Sequence, residues 1–292
     1  MEENWKVYIN GDIVPMKEAK LSVFDRGFQY GDGVFEGLRC YDGKIFKLEE
    51  HVIRLFDSAK AIHIKIPISH AEMKKAIKDT LRVNGFRNAH IKPFVTRGFG
   101  WKLGLDPRNT TEPNIAIIAR EIAESMYGEA SKGLRLAVAS VRKIPAACLD
   151  PRIKSLNYLV NILARAEAIV SGADECIMLD MQGYISEGSG DNIFLVKRGA
   201  LLVPPVQFGL EGTTRQTVIE MAKGVSILVH EVTLTMYDAY TADEIFVTGS
   251  GAGIVPVVEV DKKPVGDGKT GQVTNQLIRL YAEAVKKGEP IE

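Results

Sequence analysis

Apolar residues along this chain recur every second position in some stretches and every third or fourth in others, and this alternation appears twice. The segment WKVYINGDIVP reads as a strand, an Asn-Gly turn and a second strand. In EEHVIRLFDSAKAI, Val52, Leu55, Phe56, Ala59 and Ile62 line one face of a helix. AEMKKAIKDTLRVNG predicts a second helix, with Met73, Ile77, Thr80 and Leu81 inward and Gly85 at its C-terminal cap. HIKPFVTRG and PNIAIIAR read as strands joined by the glycine-rich loop GFGWKLGLDPRNTTE.

The pattern breaks in EIAESMYGEASKG, which is polar and small. It resumes with the strand LRLAVASVRK and a helix predicted from about Leu156 to Ser171. Hairpins across ECIMLDMQGYISEGSGDNIFLVKRGALLVPP follow, then a helix at RQTVIEMAKG, the strands SILVHEV, DEIFVTG and IVPVVEV, and a final helix near VTNQLIRLYAEAVKK. Mixed, mostly antiparallel strands with interspersed helices predict an α+β protein of two domains rather than a doubly wound parallel sheet. The expected layout is a small N-terminal domain over 1–120, a connector over 121–131 and a larger domain over 132–292. A length of 292 residues fits two domains, at about 150 residues each.

Composition narrows the function. An apolar fraction of 46% and a charged fraction of 25% are those of an ordinary globular protein. Thirty-seven basic residues balance thirty-seven acidic ones, which argues against a nucleic-acid partner. No apolar run approaches the length of a membrane span, and the N-terminus shows no secretory pattern. Cys40, Cys148 and Cys176 are few, odd in number and far apart, as expected in a reducing cytoplasm. The phosphate-loop, dinucleotide and nucleophile-elbow motifs all fail on position, and the five histidines form no metal-binding spacing.

Five features remain. Lys154 precedes the predicted helix, with Ser155 as its N-cap and Leu156, Leu159, Val160, Leu163, Ala166 and Val170 inward. A cation there opposes the helix dipole, which favours the neutral, nucleophilic amine. Tyr158, four residues on, would share its face of the helix. Glu187 ends a strand in YISEGSGDNIF, where a carboxylate can hold a protonated ring nitrogen. Gly212, Thr213 and Thr214 open a helix and form an anion cradle. Gly249, Ser250, Gly251, Ala252 and Gly253 form a turn of small residues that lets backbone amides approach a ligand. Arg54 lies beside the apolar stripe of its helix, suited to a phosphate. A lysine nucleophile, a carboxylate, two phosphate cradles and an arginine together describe a site for pyridoxal phosphate.

In order, FDRGFQYGDGVFEG, EEHVIRLFDSAK, VTRGFGWKLGLDP, IKSLNYLVN, YISEGSGDNIF, GTTRQTVIE and DEIFVTGSGAGIVPV resemble the fold-type IV pyridoxal-phosphate aminotransferases, most of all the branched-chain amino-acid aminotransferases. The likeness runs from about residue 5 to residue 285. It implies a two-domain enzyme with its active site between the domains. It implies a ping-pong transfer of the amino group of leucine, isoleucine or valine to 2-oxoglutarate through a Lys154 Schiff base. It further implies Glu187 at the pyridine nitrogen, Tyr158 at the ring hydroxyl and Leu210 under the ring. Arg54, Thr213, Thr214 and Ser250 would hold the phosphate. Tyr30 and Phe35 would line the side-chain pocket, with Gly251 and Ala252 offering amides to the substrate carboxylate. A GLDP loop reaching a neighbouring subunit implies a homodimer or larger assembly.

Three departures bear on the substrate. His90-Ile91-Lys92 stands where branched-chain enzymes show tyrosine-x-arginine, and Lys92 keeps the carboxylate-handling charge without the bidentate fork. The turn is GSGAG, and the loop carries Phe99, Trp101 and Lys102. These keep open a D-amino-acid or (R)-amine transaminase. An aminodeoxychorismate lyase and a non-catalytic binding protein for the cofactor are further alternatives.

Overall fold

The computed structural model describes residues 4–102, 104–122, 127–128 and 133–292. Residues 123–126 and 129–131 of the expected connector lie outside the described residues. The chain divides into two compact units. One comprises Met1–Ala123, Ile153–Asn157 and Val285–Glu292, and the other Glu124–Arg152 and Tyr158–Ala284.

The first unit is built on an antiparallel sheet of β1 (Lys6–Ile9), β2 (Asp12–Pro15), β3 (Gly33–Phe35), β4 (Leu38–Tyr41), β5 (Lys44–Ile45), β6 (Ala89–Thr96), β7 (Asn114–Glu121) and the short strand Glu289–Pro290. The hairpin of β1 and β2 closes through Asn10 and Gly11, both at positive φ, as a tight two-residue turn needs. Along β6, Ala89, Ile91 and Val95 point into the core while His90, Lys92 and Phe94 point the other way. The helices α2 (Leu48–Ala61) and α3 (His70–Asn84) follow the short α1 (Arg26–Tyr30) and cover the core face. Their buried Val52, Leu55, Ala59, Met73, Ile77 and Leu81 pack with Ile91, Val95, Ile115 and Ile117. Each such leucine or isoleucine contributes roughly 2 kcal/mol on burial. A capping box between Ser69 and Glu72 starts α3, and Gly85 at φ 68° ends it.

The second unit has a mixed sheet in the order β10, β9, β8, β15, β14, β11, β12, β13, with β16 beside β15. These are β8 (Leu134–Arg142), β9 (Glu175–Leu179), β10 (Ile185–Glu187), β11 (Asn192–Lys197), β12 (Ala200–Val203), β13 (Val229–Glu231), β14 (Glu244–Gly249), β15 (Gly253–Val260) and β16 (Lys263–Pro264). Its helices are α4 (Leu159–Val170), α5 (Thr213–Gly224), α6 (Met236–Tyr240) and α7 (Gln272–Ala284). The continuous apolar runs of β11 and β14 reflect cores on both faces: Ile193, Leu195, Ile245 and Val247 join one, Phe194, Val196 and Phe246 the other. The Phe194 and Phe246 rings stack 5.0 Å apart. Among the described residues, no helix is long and apolar enough to cross a membrane.

The helix after Lys154 differs from the expected one. The helix foreseen from Leu156 begins at Leu159, with Tyr158 as its N-cap residue. Ser155 instead forms a bridge with Val34. The face also differs: α4 buries Asn161, Ala164 and Ala168, whereas Leu159, Leu163 and Val170 are exposed. This helix is apolar on more than one side, so spacing does not single out the buried stripe. The small residues pack closely against Ala139, Cys176 and Met178 of the sheet.

Candidate active site

Lys154 belongs to the first unit, although it lies late in the sequence. The Phe35 amide donates to the Lys154 carbonyl at 2.9 Å, and the Leu156 amide donates to the Gly33 carbonyl at 2.9 Å. The Lys154 amide donates to Ser58 Oγ at 3.2 Å. The residue is therefore pinned in extended backbone beside β3, not at a helix N-terminus. The dipole argument for its nucleophilicity does not apply, nor does the helical spacing that linked it to Tyr158. Tyr158 itself is in the second unit.

Around Lys154, side chains of the outward face of the first sheet gather. The Lys154 Nζ lies 4.7 Å from the Phe35 ring centroid, and the Lys92 Nζ lies 4.6 Å from the same ring. Phe35 stacks on Phe94, with centroids 6.2 Å apart. Two ammonium groups thus share one aromatic wall. Burial and the nearby Lys154 and Arg120 charges lower the pKa of Lys92. His90 sits in the same field. Burial and the cations Lys92, Arg39 and Lys154 push its pKa down to about 4, so it is neutral near pH 7. A Cβ on Gly37 would stand 3.1 Å from His90 Nε2, so glycine makes room for that ring. Tyr30 ends α1, with the Arg26 guanidinium 5.3 Å from its ring centroid.

Arg54 lies on α2 as expected, between His51 and Ser58 on one stripe of the helix. Its Nε donates to Glu36 Oε1 at 2.6 Å and its Nη2 to Glu36 Oε2 at 2.8 Å. His51 Nδ1 lies 2.8 Å from Glu36 Oε2. Burial alone would raise the pKa of Glu36, but Arg54 and His51 hold its carboxyl well below the usual carboxylate range. Neither Glu36 nor His51 stood out in the sequence. The available signal was a charged residue inside the otherwise apolar run Val34 to Leu38.

In the second unit, three segments converge. Glu187 ends β10 and is buried. Its Oε2 accepts the Leu210 amide at 2.8 Å, and its Oε1 pairs with Lys143 Nζ. Burial works against the charged Lys143, but Glu187 outweighs it and raises the lysine's pKa. Lys143 was missed because it lies 44 residues from its partner. Asn192 donates to the Leu210 carbonyl at 2.8 Å, and a Cβ on Gly212 would run into Asn192 Oδ1. Asn192 also pairs with Thr248 across β11 and β14. That register brings Glu187, Leu210, Thr213, Thr214 and the Ser250–Ala252 turn to one end of the sheet.

This end suits an anionic ligand with a protonated ring nitrogen. Gly212 caps α5 without a side-chain hydrogen bond, and no acidic residue occupies the first turn. Thr214 is buried there, and the buried Thr248 hydroxyl beside the turn finds no partner among the described residues. A buried carboxylate stands near, in Glu187. These donors fit the phosphate and ring of pyridoxal phosphate.

The chain belongs to the amino-transferase class IV family, whose profile matches residues 33–260. It is a pyridoxal-phosphate-dependent aminotransferase of the α+β, fold-type IV kind. A relative in Methanocaldococcus jannaschii is 50% identical over 95% of this chain and 96% of its own, its assignment as a branched-chain-amino-acid aminotransferase being provisional. The branched-chain amino acid aminotransferase of Escherichia coli superposes with a TM-score of 0.92 at 34% identity, covering 96% of this chain and 94% of that one. The branched-chain aminotransferase of Thermoproteus uzoniensis, solved with norvaline, gives a TM-score of 0.92 at 35% identity and 99% coverage of both.

Proposed function

We propose that this enzyme transfers the amino group of leucine, isoleucine or valine to 2-oxoglutarate in two half-reactions at one site. The observation that carries this reading is the Phe35 ring approached by the side-chain amines of both Lys92 and Lys154. Phe35 and Phe94 offer apolar area to a branched side chain, while Lys92 offers a cation to the second carboxylate of a dicarboxylate. The two substrates therefore use different parts of one surface. The similar Thermoproteus uzoniensis enzyme has been solved with norvaline, an amino acid with an apolar side chain.

Pyridoxal phosphate supplies the electron sink that makes the substrate α-proton removable. Lys154 would hold the cofactor through its ε-amine and, once the substrate amine has displaced it from that bond, its free amine would carry the α-proton to the cofactor's C4′ carbon. Glu187 would hold the ring nitrogen and Tyr158 the ring hydroxyl, with Leu210 against the ring. Arg54, Thr213, Thr214 and Ser250 would hold the phosphate. Tyr30 and Phe35 meet the side chain, and the Gly251 and Ala252 amides meet the substrate carboxylate.

The working unit in this reading is a homodimer or larger assembly in the cytoplasm. Leu159, Ile162, Leu163, Ile169 and Val170 form an exposed apolar face on α4, and Leu105 of the GLDP loop is 76% exposed. Surfaces of that kind are usually covered by a partner.

A second reading, transamination of D-amino acids or (R)-amines, is favoured by His90 where branched-chain enzymes carry tyrosine. One titration separates the two. Purified enzyme is mixed with L-amino acids, D-amino acids and (R)-amines while cofactor absorbance is followed. Conversion by L-leucine, L-isoleucine, L-valine and L-glutamate is expected. A response to D-alanine with none to L-leucine would overturn the branched-chain assignment.

A further inference from the structure

We propose that Glu36 is a positioning residue that sets the orientation of the Arg54 guanidinium toward the cofactor's phosphate. The inference rests on the reading of Arg54 as a phosphate ligand.

Glu36 has no exposed surface, and the Arg54 side chain is 16% exposed. Their contact joins both carboxylate oxygens to the Nε–Nη2 edge of the guanidinium. That fork fixes the plane of the group as well as its position, which a single bond does not. His51 holds the carboxylate from a third direction, and the Gly37 amide adds a fourth contact at 3.2 Å. Burial pushes the His51 pKa down against the pull of Glu36, and the Arg54 guanidinium is the strongest charge acting on the carboxylate.

The placement of Glu36 in the chain gives the pair its reach. It follows directly on Phe35, whose amide holds the Lys154 carbonyl, and its own amide donates to the Pro93 carbonyl at 2.9 Å. Ser58, one turn beyond Arg54 on α2, accepts from the Lys154 amide. The backbone of the lysine and the guanidinium of the arginine are thereby tied to the same two elements. Glu36 is the side-chain link that sets the angle of the arginine in that frame. Stability alone does not require it, because a buried ion pair is often matched by apolar residues of similar volume.

The test compares two ligands that differ only in the phosphate. Dissociation constants of pyridoxal phosphate and pyridoxal are measured by absorbance titration of cofactor-free wild type, Glu36→Gln, Arg54→Met and the double variant. Glu36→Gln should weaken pyridoxal phosphate by roughly tenfold, the loss typical when an orienting partner is removed, and leave pyridoxal unchanged. The double variant should bind as Arg54→Met alone does. Equal weakening of both ligands, no weakening of either, or additive losses in the double variant would each overturn the role of Glu36. If Arg54→Met itself leaves the preference for the phosphorylated ligand intact, the reading of Arg54 fails instead. Should Glu36→Gln not fold, Glu36→Asp keeps the charge but shortens the reach. It should then lower the same preference, and an unaltered preference in it overturns the proposal.

Discussion

The Phe35 amide and the Lys154 carbonyl meet at 2.9 Å, so the backbone of the lysine is fixed independently of what its side chain does. Truncating that side chain leaves the hydrogen bonds to Phe35 and Ser58 in place. Lys154→Ala should therefore fold with stability within about 1 kcal/mol of wild type. Turnover should fall by roughly 10⁴-fold or more, since the group that moves the proton is gone. Borohydride reduction and peptide mapping of the wild type should place the cofactor on residue 154. Near-normal turnover in the variant would refute the assignment.

Gly209 touches the carboxylate of Glu187. A Cβ there would lie 2.8 Å from Oε2, the atom that accepts the Leu210 amide. Gly209→Ala should displace the carboxylate and cost about 1–3 kcal/mol, as overpacking does. Chemical denaturation reads the stability, and the cofactor absorbance band reads the ring environment. Unaltered values of both would show that Glu187 yields without consequence.

His90 makes stability depend on pH. Burial and the surrounding Lys92, Arg39, Lys154 and His51 lower its pKa from 6.5 to about 4. Between those values the unfolded chain binds more protons at this site than the folded one. Stability therefore rises with pH from about 4 and levels above 6.5. Glu36, also depressed, contributes in the same sense, its share being lost as pH falls. His90→Gln should flatten part of the slope of denaturation midpoint against pH in that window. A slope identical to wild type would show that His90 is freely protonated in the folded state.

Ile162 is 61% exposed on α4, among other exposed apolar residues of that helix. If this face meets a second copy, as proposed, Ile162→Glu should leave the fold of its unit intact and lower the wild-type mass in light scattering to that of a monomer. An unchanged mass would remove this face of α4 from the subunit contact.

The sequence showed the elements well where one face was apolar and the other polar. Helices α2 and α3 and the β1–β2 hairpin follow from spacing, caps and the Asn10-Gly11 turn. Helix α4 was misjudged because its small residues, not its large ones, are buried. The candidate site residues were drawn from motifs in order, through family resemblance. Their partners were not: Lys143 beside Glu187, Glu36 and His51 around Arg54, and Asn192 against Leu210 and Gly212.

Local periodicity determined which segments of this chain form strands and which form helices, because those repeats are written in neighbouring residues. Tertiary structure decided that residues 153–157 and 285–292 join the first unit, and which charge faces which. Those outcomes depend on pairings between segments far apart in the chain. Such pairings are settled by sheet register and close packing, which no short window of residues records.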